Sequence, residues 1–400
     1  MFEPRLALCL LLFWPLAGLA DTAFVVRTVE GKEYTGPLVQ FSEDGSLQLG
    51  QKGRRKLGPA DWIALRQVGQ VLPPLPTDEH VVLANGDRLP GQVIRLQDEI
   101  LTFKCRDLND GKEVSLPLTT VLLLWRLPPD RTVDAERYRQ RLIGTRRSGD
   151  LVVLRNGDTI QGTLQAVNAG KVEVEVGKKT VSIQWPQVST LALNSELLEN
   201  RPLAGFSARL TLLSGARITL QNLRCDGETW QGKTAFGAAL RGPVAQVVEI
   251  ERLGDNLVEL SSLKPAGYES TPYLNERWPW LADRSVFGRD LRLGGSTYSR
   301  GLGMHADSRL RFDLGGSYRR FSALVGLDDR DGRGGQVRLR VRIDGKVVAE
   351  VGKAGLLTHA DGPQWVNVDL NKARELTLEV VGAPDPVQGA VNWVQAVLVK

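Results

Sequence analysis

Aromatic and polar side chains cluster in the irregular stretch between residues 273 and 300. Tyr273, Trp278 and Trp280 lie close together, and Tyr298 and Arg300 follow just before a glycine-rich turn. The C–H face of a sugar ring packs on an aromatic ring, and a few fixed polar groups then hold its hydroxyls. Loops expose such groups, so these five residues are candidates for carbohydrate binding. Packing at a domain edge is the alternative for the two tryptophans.

A histidine and three acids are the other candidates for chemistry. His305 either stabilises a turn through hydrogen bonds or contacts a ligand directly. Asp328, Asp329 and Asp331 precede Gly332 and offer carboxylate oxygens of the kind that calcium binds. Their spacing is not that of a calcium-binding loop. A solvated acidic turn with salt bridges to neighbouring arginines is therefore the alternative.

The elements that must position these residues are β-strands. Apolar and polar residues alternate through six segments, and turns rich in Gly and Asp separate them: 309–314, 321–327, 337–343, 346–351, 365–370 and 376–381. Such a series predicts a β-sandwich. Arg338, Arg340 and Arg342 must share one face of their strand. We expect them to be solvated or salt-bridged, with binding of an anionic glycan as the alternative.

The motifs of this half resemble those of a known family. Gly-Leu-Gly-Met-His-Ala-Asp-Ser at 301–308 is followed by companion segments at 323–329, 341–346 and 391–397. Together they resemble the carbohydrate-binding module of the glycosyl hydrolase family 98 type. The resemblance implies a galactose-binding-like β-sandwich (jelly roll) over residues 256–400, with a glycan or cell-wall polysaccharide as partner. It also implies that the glycine motif around His305 is mainly structural.

One departure from this family concerns the end of the chain. Sugar-binding members often show two acids before a tryptophan here, whereas this sequence has Gly389 and Asn392 before Trp393. We expect Trp393 to pack in the closing strand. The change puts in doubt any contact that depends on an acid at the other two positions.

The N-terminal half contains an internal duplication. The motif Val-Val-Leu-x-Asn-Gly-Asp occurs at 81–87 and again at 152–158, and weaker copies begin near residues 24 and 208. Each copy predicts two strands joined by a tight Asn-Gly-type turn, followed by further short strands. The weakest copy has Leu220 where the others have a second glycine. Four tryptophans at strand-like positions are predicted to pack in the core: Trp62, Trp125, Trp185 and Trp230.

These copies resemble small SH3-like or Sm-like barrels. The predicted fold is therefore all-β, with small barrels before the sandwich. The barrel repeats are predicted at 21–70, 78–128, 149–196 and 205–254, with a helical linker at 130–148. A proline-rich spacer is predicted at 72–77, and His80 is expected at the surface.

The first twenty residues indicate an exported protein. Arg5 precedes an apolar run that ends in small residues before Asp21, which predicts a removed signal peptide at 1–20 and a secreted, periplasmic or cell-surface bacterial protein without a membrane span. An uncleaved anchor is the alternative. An oxidising compartment would permit Cys105 to pair with Cys225, and the sequence leaves this open. The net charge of +5 is spread along the chain, so nucleic acid is not expected as a partner.

These observations favour a secreted, non-catalytic carbohydrate-binding protein. No zinc-ligand cluster, nucleophile elbow or phosphate-binding loop is found in the sequence. The first alternative is a cell-surface scaffold that binds proteins, in part through the barrels. The second is a glycoside hydrolase whose two carboxylates face one cleft.

Overall fold

The structure is a computed structural model that describes residues 22–50, 54–105, 107–168, 170–200, 205–254, 256–272, 275–382 and 388–400. Strands dominate both halves of the chain, as predicted. The predicted signal peptide at 1–20 and candidate Tyr273 lie outside the described residues. No helix among the described residues is long and apolar enough to cross a membrane.

The N-terminal half is built from four similar groups of short strands, called units 1 to 4. Unit 1 contains β1 (Ala23–Thr28), β2 (Glu33–Phe41), β3 (Leu47–Leu49), β4 (Arg55–Leu57) and β5 (Trp62–Gln67). Unit 2 contains β6 (His80–Leu83), β7 (Arg88–Pro90), β8 (Gln92–Gln97), β9 (Ile100–Lys104), β10 (Glu113–Pro117) and β11 (Val121–Trp125). Unit 3 follows a helix, α1 (Ala135–Gly144), and contains β12 (Asp150–Leu154), β13 (Thr159–Val167), β14 (Lys171–Val176), β15 (Lys179–Gln184) and β16 (Val188–Ala192). Unit 4 contains β17 (Ser207–Leu212), β18 (Arg217–Cys225), β19 (Thr229–Lys233), β20 (Ala239–Pro243) and β21 (Val247–Leu253).

The same strand order recurs in the units. The last strand of each unit pairs antiparallel with the first. In units 1, 3 and 4 the first, second, third and fourth strands follow one another, as in β16-β12-β13-β14-β15. In unit 2, β7 pairs with the first strand and β8 with the next, so these two strands together take the place of the second strand. The predicted Asn-Gly turns close the first hairpins of units 2 and 3 with matching hydrogen bonds. In each, the Asn side chain accepts from the backbone N–H of the following Asp at 3.0 Å, Asn85 from Asp87 and Asn156 from Asp158. The likeness of single units to SH3-like barrels stays a prediction.

The second glycine of the repeat is required by close packing between neighbouring strands. A Cβ atom at Gly162 would lie 2.3 Å from the carbonyl oxygen of Glu175, and one at Gly91 would lie 2.3 Å from that of Lys104. In unit 4, buried Leu220 takes this place, and the glycine stands on the adjacent strand instead. A Cβ at Gly232 would lie 3.1 Å from that of Leu220. The loss noted in the sequence is thus compensated across the strand pair.

We expect Gly162→Ala to lower the free energy of unfolding by about 1–3 kcal/mol, the usual cost of overpacking. The new methyl group meets a backbone carbonyl, which cannot rotate away. Thermal unfolding of the full chain measures the effect. Gly149→Ala is the control, because its Cβ would meet its nearest neighbour at an ordinary 3.5 Å. Equal melting temperatures for the two variants would contradict the prediction.

The four units are joined rather than separate. The last strands of units 1 and 4 pair along β5 and β21, and those of units 2 and 3 pair along β11 and β16. One continuous cluster of buried apolar side chains runs through all four units. Trp62, Trp125 and Trp230 are fully buried, whereas Trp185 is half-buried. The core prediction is therefore confirmed for three of the four tryptophans.

The two cysteines that follow the predicted signal peptide are both buried free thiols. Cys105 lies in unit 2 and Cys225 in unit 4. Burial raises the pKa of each thiol to about 11. The disulfide that the sequence left open is not formed.

Helix α1 begins at a capped end and packs against unit 2. The Asp134 side chain accepts from the Arg137 backbone N–H at 2.9 Å. His80, expected at the surface, is instead 1 % exposed and lies beside Trp125, whose ring also contacts Tyr138 of this helix. The prediction was wrong because the apolar partners of His80 come from distant parts of the sequence.

The C-terminal half is a sandwich of two antiparallel sheets. The first contains β22 (Leu257–Glu259), β24 (Leu281–Ala282), β27 (Gly301–Met304), β29 (Arg320–Leu327), β33 (Gln364–Asp369) and β35 (Val391–Val399). The second contains β23 (Gly267–Ser270), β28 (Ser308–Asp313), β30 (Gln336–Ile343), β31 (Lys346–Val351), β32 (Leu357–Thr358) and β34 (Glu375–Gly382). A small hairpin of β25 (Leu291–Leu293) and β26 (Ser296–Tyr298) lies outside both sheets. Trp393 is fully buried in the closing strand, as expected.

The arginine stripe on β30 is largely salt-bridged. Arg340 Nε lies 2.8 Å from Glu350, and Arg342 Nε lies 2.8 Å from Glu379. The preferred interpretation of this stripe is thus confirmed for these two arginines.

The proline-rich segment 72–77 does not act as a free spacer. Leu72 is 2 % exposed, its carbonyl accepts from Thr297 N–H at 3.1 Å, and its N–H donates to Ser296. Arg217 of unit 4 donates to the carbonyls of Pro73 and Thr297 at 2.8 and 3.0 Å. The segment therefore lies inside the interface that joins the two halves of the chain.

Candidate functional site

The Gly-Leu-Gly motif forms β27 and lets a loop pack directly on it. A Cβ atom at Gly303 would lie 2.4 Å from the carbonyl oxygen of Arg284 and 2.5 Å from the backbone nitrogen of Val286. A Cβ at Gly301 would lie 2.4 Å from the carbonyl oxygen of Trp393 on the neighbouring strand. The motif is thus structural, as the family resemblance implied. Its consequence is a fixed position for loop 284–288.

This packing assembles an aromatic cluster, defined as Trp278, Phe287 and His305. The rings of Trp278 and His305 stack with centroids 3.9 Å apart and planes at 24°. Phe287 meets His305 edge-on at 6.0 Å and Trp278 at 6.4 Å. The histidine is 2 % exposed, whereas the other two rings are only half-buried. The cluster therefore presents aromatic surface supported from below by an imidazole.

The backbone of the cluster is fixed as well. The Tyr268 hydroxyl donates to the Trp278 carbonyl at 2.6 Å, and the Ser308 hydroxyl donates to the His305 carbonyl at 2.5 Å. Tyr268 itself packs against the core of the sandwich. An aromatic ring held in this way can accept the C–H face of a sugar with little loss of side-chain freedom.

Trp280 and the hairpin residues occupy different surroundings. Trp280 is half-buried and packs against the sandwich core. Tyr298 is 4 % exposed, and its hydroxyl lies 3.4 Å from a guanidinium nitrogen of Arg66 in unit 1. Burial, above all, raises the pKa of Tyr298. Tyr298 therefore lies within the interface between the halves and not on an exposed rim.

Arg300 also serves this interface. Its guanidinium donates to Asp283 at 2.6 Å and to the carbonyl of Asn85 in unit 2 at 2.8 Å. Two of the six residues that the sequence proposed for sugar binding, Trp278 and His305, are in direct contact with each other. Sequence reasoning missed Phe287, whose only signal was an aromatic residue in an irregular stretch before Gly288.

The three candidate calcium ligands face separate partners. Asp328 is 1 % exposed and accepts from the backbone N–H groups of Arg330 and Asp331 at 2.9 Å. Asp329 accepts from two glycine N–H groups, at 3.0 and 2.8 Å, and lies 3.2 Å from His359. Asp331 forms a salt bridge with Arg289 at 3.0 Å. No group of three or more His, Cys, Asp or Glu side chains in the described ranges is placed to hold a metal ion.

Asn392 explains the departure at the end of the chain. Its side-chain nitrogen donates to Asp328 at 2.6 Å and to the carbonyl of Arg292 at 3.0 Å. Burial raises the pKa of Asp328 despite these hydrogen bonds. An aspartate at 392 would place a second carboxylate against this buried one, at a large electrostatic cost in the absence of a cation.

Comparison with known proteins finds a family match in the C-terminal half. Residues 258–399 match the NPCBM/NEW2 domain family. A 107-residue stretch, 26% of this chain, is 37% identical to a Renibacterium salmoninarum protein described as "Putative endo-alpha-N-acetylgalactosaminidase", and it spans 6% of that protein.

Two solved structures of Clostridium perfringens modules are also similar. The CBM51 from GH95 in complex with methyl-galactose aligns with a TM-score of 0.32 and 24% identity over 36% of this chain and 99% of that one. CBM51-2 and INT domains from ZmpB in complex with GlcNAc align with a TM-score of 0.33 and 20% identity over 43% of this chain and 36% of that one.

Proposed function

We propose that this protein binds glycans through the aromatic cluster, which lies within the residues that match the NPCBM/NEW2 domain family. The observation that carries the proposal is the stacking of half-buried Trp278 on buried His305 at 3.9 Å. Stacking aromatic rings with one ring left partly exposed is the arrangement that sugar recognition uses. The family match thus supports glycan binding, and the geometry of the cluster supports this surface for it.

The rigidity of the aromatic cluster favours a sugar ring over a protein side chain as its ligand. Its rings are held by packing and by backbone hydrogen bonds from Tyr268 and Ser308. A preformed surface avoids the free-energy cost of ordering side chains on binding. This cost weakens the binding of small ligands most, because each sugar ring contributes little binding energy. Trp280, next in the chain but packed on the core, supports the segment that carries Trp278.

We expect Trp278→Ala to weaken glycan binding about tenfold or more, since loss of an aromatic anchor costs about 2 kcal/mol. A glycan array probed with the full chain identifies the ligand, and titration calorimetry measures the change. Trp185→Ala is the matched control, because Trp185 is a half-buried tryptophan in the N-terminal half. Thermal unfolding of both variants shows that they fold.

Unchanged affinity in a folded Trp278→Ala protein would exclude the cluster as the binding surface. Failure of the wild type to bind any glycan on the array would instead favour the alternative, a cell-surface scaffold that binds proteins.

The proposal includes export and the absence of catalysis. The apolar run before Asp21 supports export with removal of residues 1–20. N-terminal sequencing of protein recovered outside the cytoplasm would then begin at Asp21. Incubation with the bound glycan is expected to release no new reducing ends, and their appearance would support the hydrolase alternative.

A further inference from the structure

A groove of about 710 Å³ separates helix α1 from loop 284–288. Arg137, Tyr138 and Arg141 line it from the helix, and Arg284 and Gly288 line it from the loop. The loop belongs to the carbohydrate-binding domain, whereas the helix lies between units 2 and 3. The groove is thus a composite of both halves of the chain.

The lining of the groove carries a net positive charge, because it contains three arginines and one aspartate. None of its three guanidinium groups forms a salt bridge with another described residue, whereas on the second sheet of the sandwich Arg309 and Arg342 are both paired with Glu379. The one carboxylate in the lining, Asp134, is already bound to Arg289 at 2.8 Å. Arg137 even stands in the first turn of α1, where a positive charge opposes the helix dipole.

Carbonyl groups at the C-terminal end of α1 would repel an anion, and three near this end accept hydrogen bonds from side chains. Arg284 lies 3.4 Å from the Gln140 carbonyl, and Arg147 donates to the Leu142 carbonyl at 2.6 Å. The Thr145 hydroxyl donates to the Arg141 carbonyl at 2.8 Å. The dipole of the helix end is therefore partly compensated by local donors.

Both walls are held in place by buried polar contacts between helix and domain. Asp290, 4 % exposed, accepts from Gln140 at 2.5 Å and from Arg139 at 3.3 Å. Glu136 binds Arg292 at 2.8 Å. Since the walls are fixed, the groove exists before any ligand arrives, which lowers the cost of binding.

The groove lies next to the aromatic cluster. Phe287 of the cluster and Arg284 of the groove are three residues apart, so their Cα atoms are separated by at most about 11 Å. We propose that the groove binds an anionic substituent, a carboxylate or a sulfate, of the glycan held by the cluster. Guanidinium groups recognise both oxyanions through paired hydrogen bonds. This inference rests on the proposed function and narrows its ligand to acidic glycans.

Calorimetric titration of the full chain with three probes of equal length tests the inference. Trigalacturonate carries carboxylates, a sulfated galactose trisaccharide carries sulfates, and galactotriose is neutral. We expect the wild type to bind an acidic probe about tenfold more tightly than galactotriose. This advantage should shrink between about 50 mM and 500 mM salt. Tighter binding of trigalacturonate than of galactotriose would indicate a carboxylate as the ligand of the groove, and tighter binding of the sulfated trisaccharide would indicate a sulfate.

Two double variants identify the arginines responsible. Arg137→Gln with Arg141→Gln should abolish the preference for the acidic probe and leave the affinity for galactotriose unchanged. Arg338→Gln with Arg340→Gln removes the same charge from β30 of the second sheet and should leave the preference intact. The proposal for the groove is rejected if the variant with Arg137→Gln and Arg141→Gln still prefers the acidic probe. It is also rejected if the wild type binds neither acidic probe more tightly than galactotriose.

The proposed function is tested separately by Trp278→Ala in the same titrations. Loss of galactotriose binding in this variant supports the aromatic cluster whatever the groove does. The preference for the acidic probe could instead disappear in the Arg137 and Arg141 variant but persist in Trp278→Ala. That result would support the groove as an anion site and reject the aromatic cluster as the glycan-binding surface.

Discussion

Replacing Glu249 with alanine is expected to destabilise the protein by about 3–5 kcal/mol, the cost of breaking a buried ion pair by removing one partner. Glu249 is 1 % exposed. It accepts from Arg66 at 2.7 Å and from Gln395 at 2.9 Å. Its removal would leave the Arg66 guanidinium and the Gln395 amide without their shared acceptor.

Glu249 connects the two halves of the chain, because it contacts residues from both. Arg66 lies on β5 of unit 1, Glu249 on β21 of unit 4, and Gln395 on β35 of the sandwich. Burial alone would lower the pKa of Arg66, but Glu249 and Tyr298 raise it well above its ordinary value. The guanidinium is therefore always charged, and its ion pair cannot be relieved by loss of a proton.

Calorimetric melting of the full chain measures the loss. With an unfolding entropy of about 2.1 cal/mol/K per residue, a change of 3–5 kcal/mol lowers the Tm by about 4–6 °C if the chain melts as one unit. Glu249→Gln keeps two acceptor sites without the charge and should lose less. Glu350→Ala removes an exposed partner of Arg340 and should lose about 0–1 kcal/mol. A Glu249→Ala protein that melts like Glu350→Ala would contradict the prediction.

The sequence predicted the strands well because each strand carries its own pattern. The alternation of apolar residues and the repeated Asn-Gly motif are local, and the strands follow them in both halves. The sandwich was further supported by the Gly-Leu-Gly motif, whose glycines are needed at contacts within a single domain.

The same reasoning could not locate the interface between the halves. Tyr298 and Arg300 follow a turn and offer ring and charge, so the sequence favoured an exposed rim. Their place in the interface depends on contacts with Arg66 and Asn85, more than 200 positions away in the sequence. A pattern in one segment contains no information about such a partner, and a tyrosine is equally suited to a rim or an interface.

The candidate site was predicted in part for a related reason. Trp278 was found because it is one of several aromatic residues in an irregular segment, where loops expose such groups, and His305 because it belongs to a motif. Phe287 was missed, since its contact with His305 depends on how loop 284–288 folds over Gly303. The arginines of the groove were missed because α1 and the loop meet only in three dimensions.

Acidification is expected to destabilise the protein through His80, by about 3 kcal/mol at pH 4. Its Nδ1 lies 2.6 Å from the Asp78 carbonyl oxygen, so Nδ1 carries the proton and donates it. The buried Nε2 atom is then unprotonated and has no hydrogen-bond partner among the described residues. Burial, together with the charges of Arg139 and Arg88, lowers the pKa of His80 to about 3.

The direction of this pH dependence follows from the number of protons that the folded and unfolded states bind. The ordinary pKa of histidine is 6.5, so above that pH both folded and unfolded chains are neutral at this position. Between about pH 6.5 and pH 3, the unfolded chain binds a proton that the folded chain excludes. The free energy of unfolding therefore decreases as the pH is lowered from about 6.5 to about 3, by at most about 1.4 kcal/mol per pH unit.

His80→Asn isolates this contribution, because the asparagine nitrogen can replace Nδ1 as donor to Asp78 and does not titrate. Denaturant unfolding at several values between about pH 4 and pH 8 measures both proteins. The variant is expected to be less stable above pH 6.5, since a ring is lost from a packed site. Below that pH the two curves should converge, because only the wild type loses the histidine contribution. His359→Asn, at a partly exposed histidine, reports the effect of removing such a residue from the surface. Curves for wild type and His80→Asn that stay parallel from neutral pH to pH 4 would show that His80 binds its proton equally well in both states.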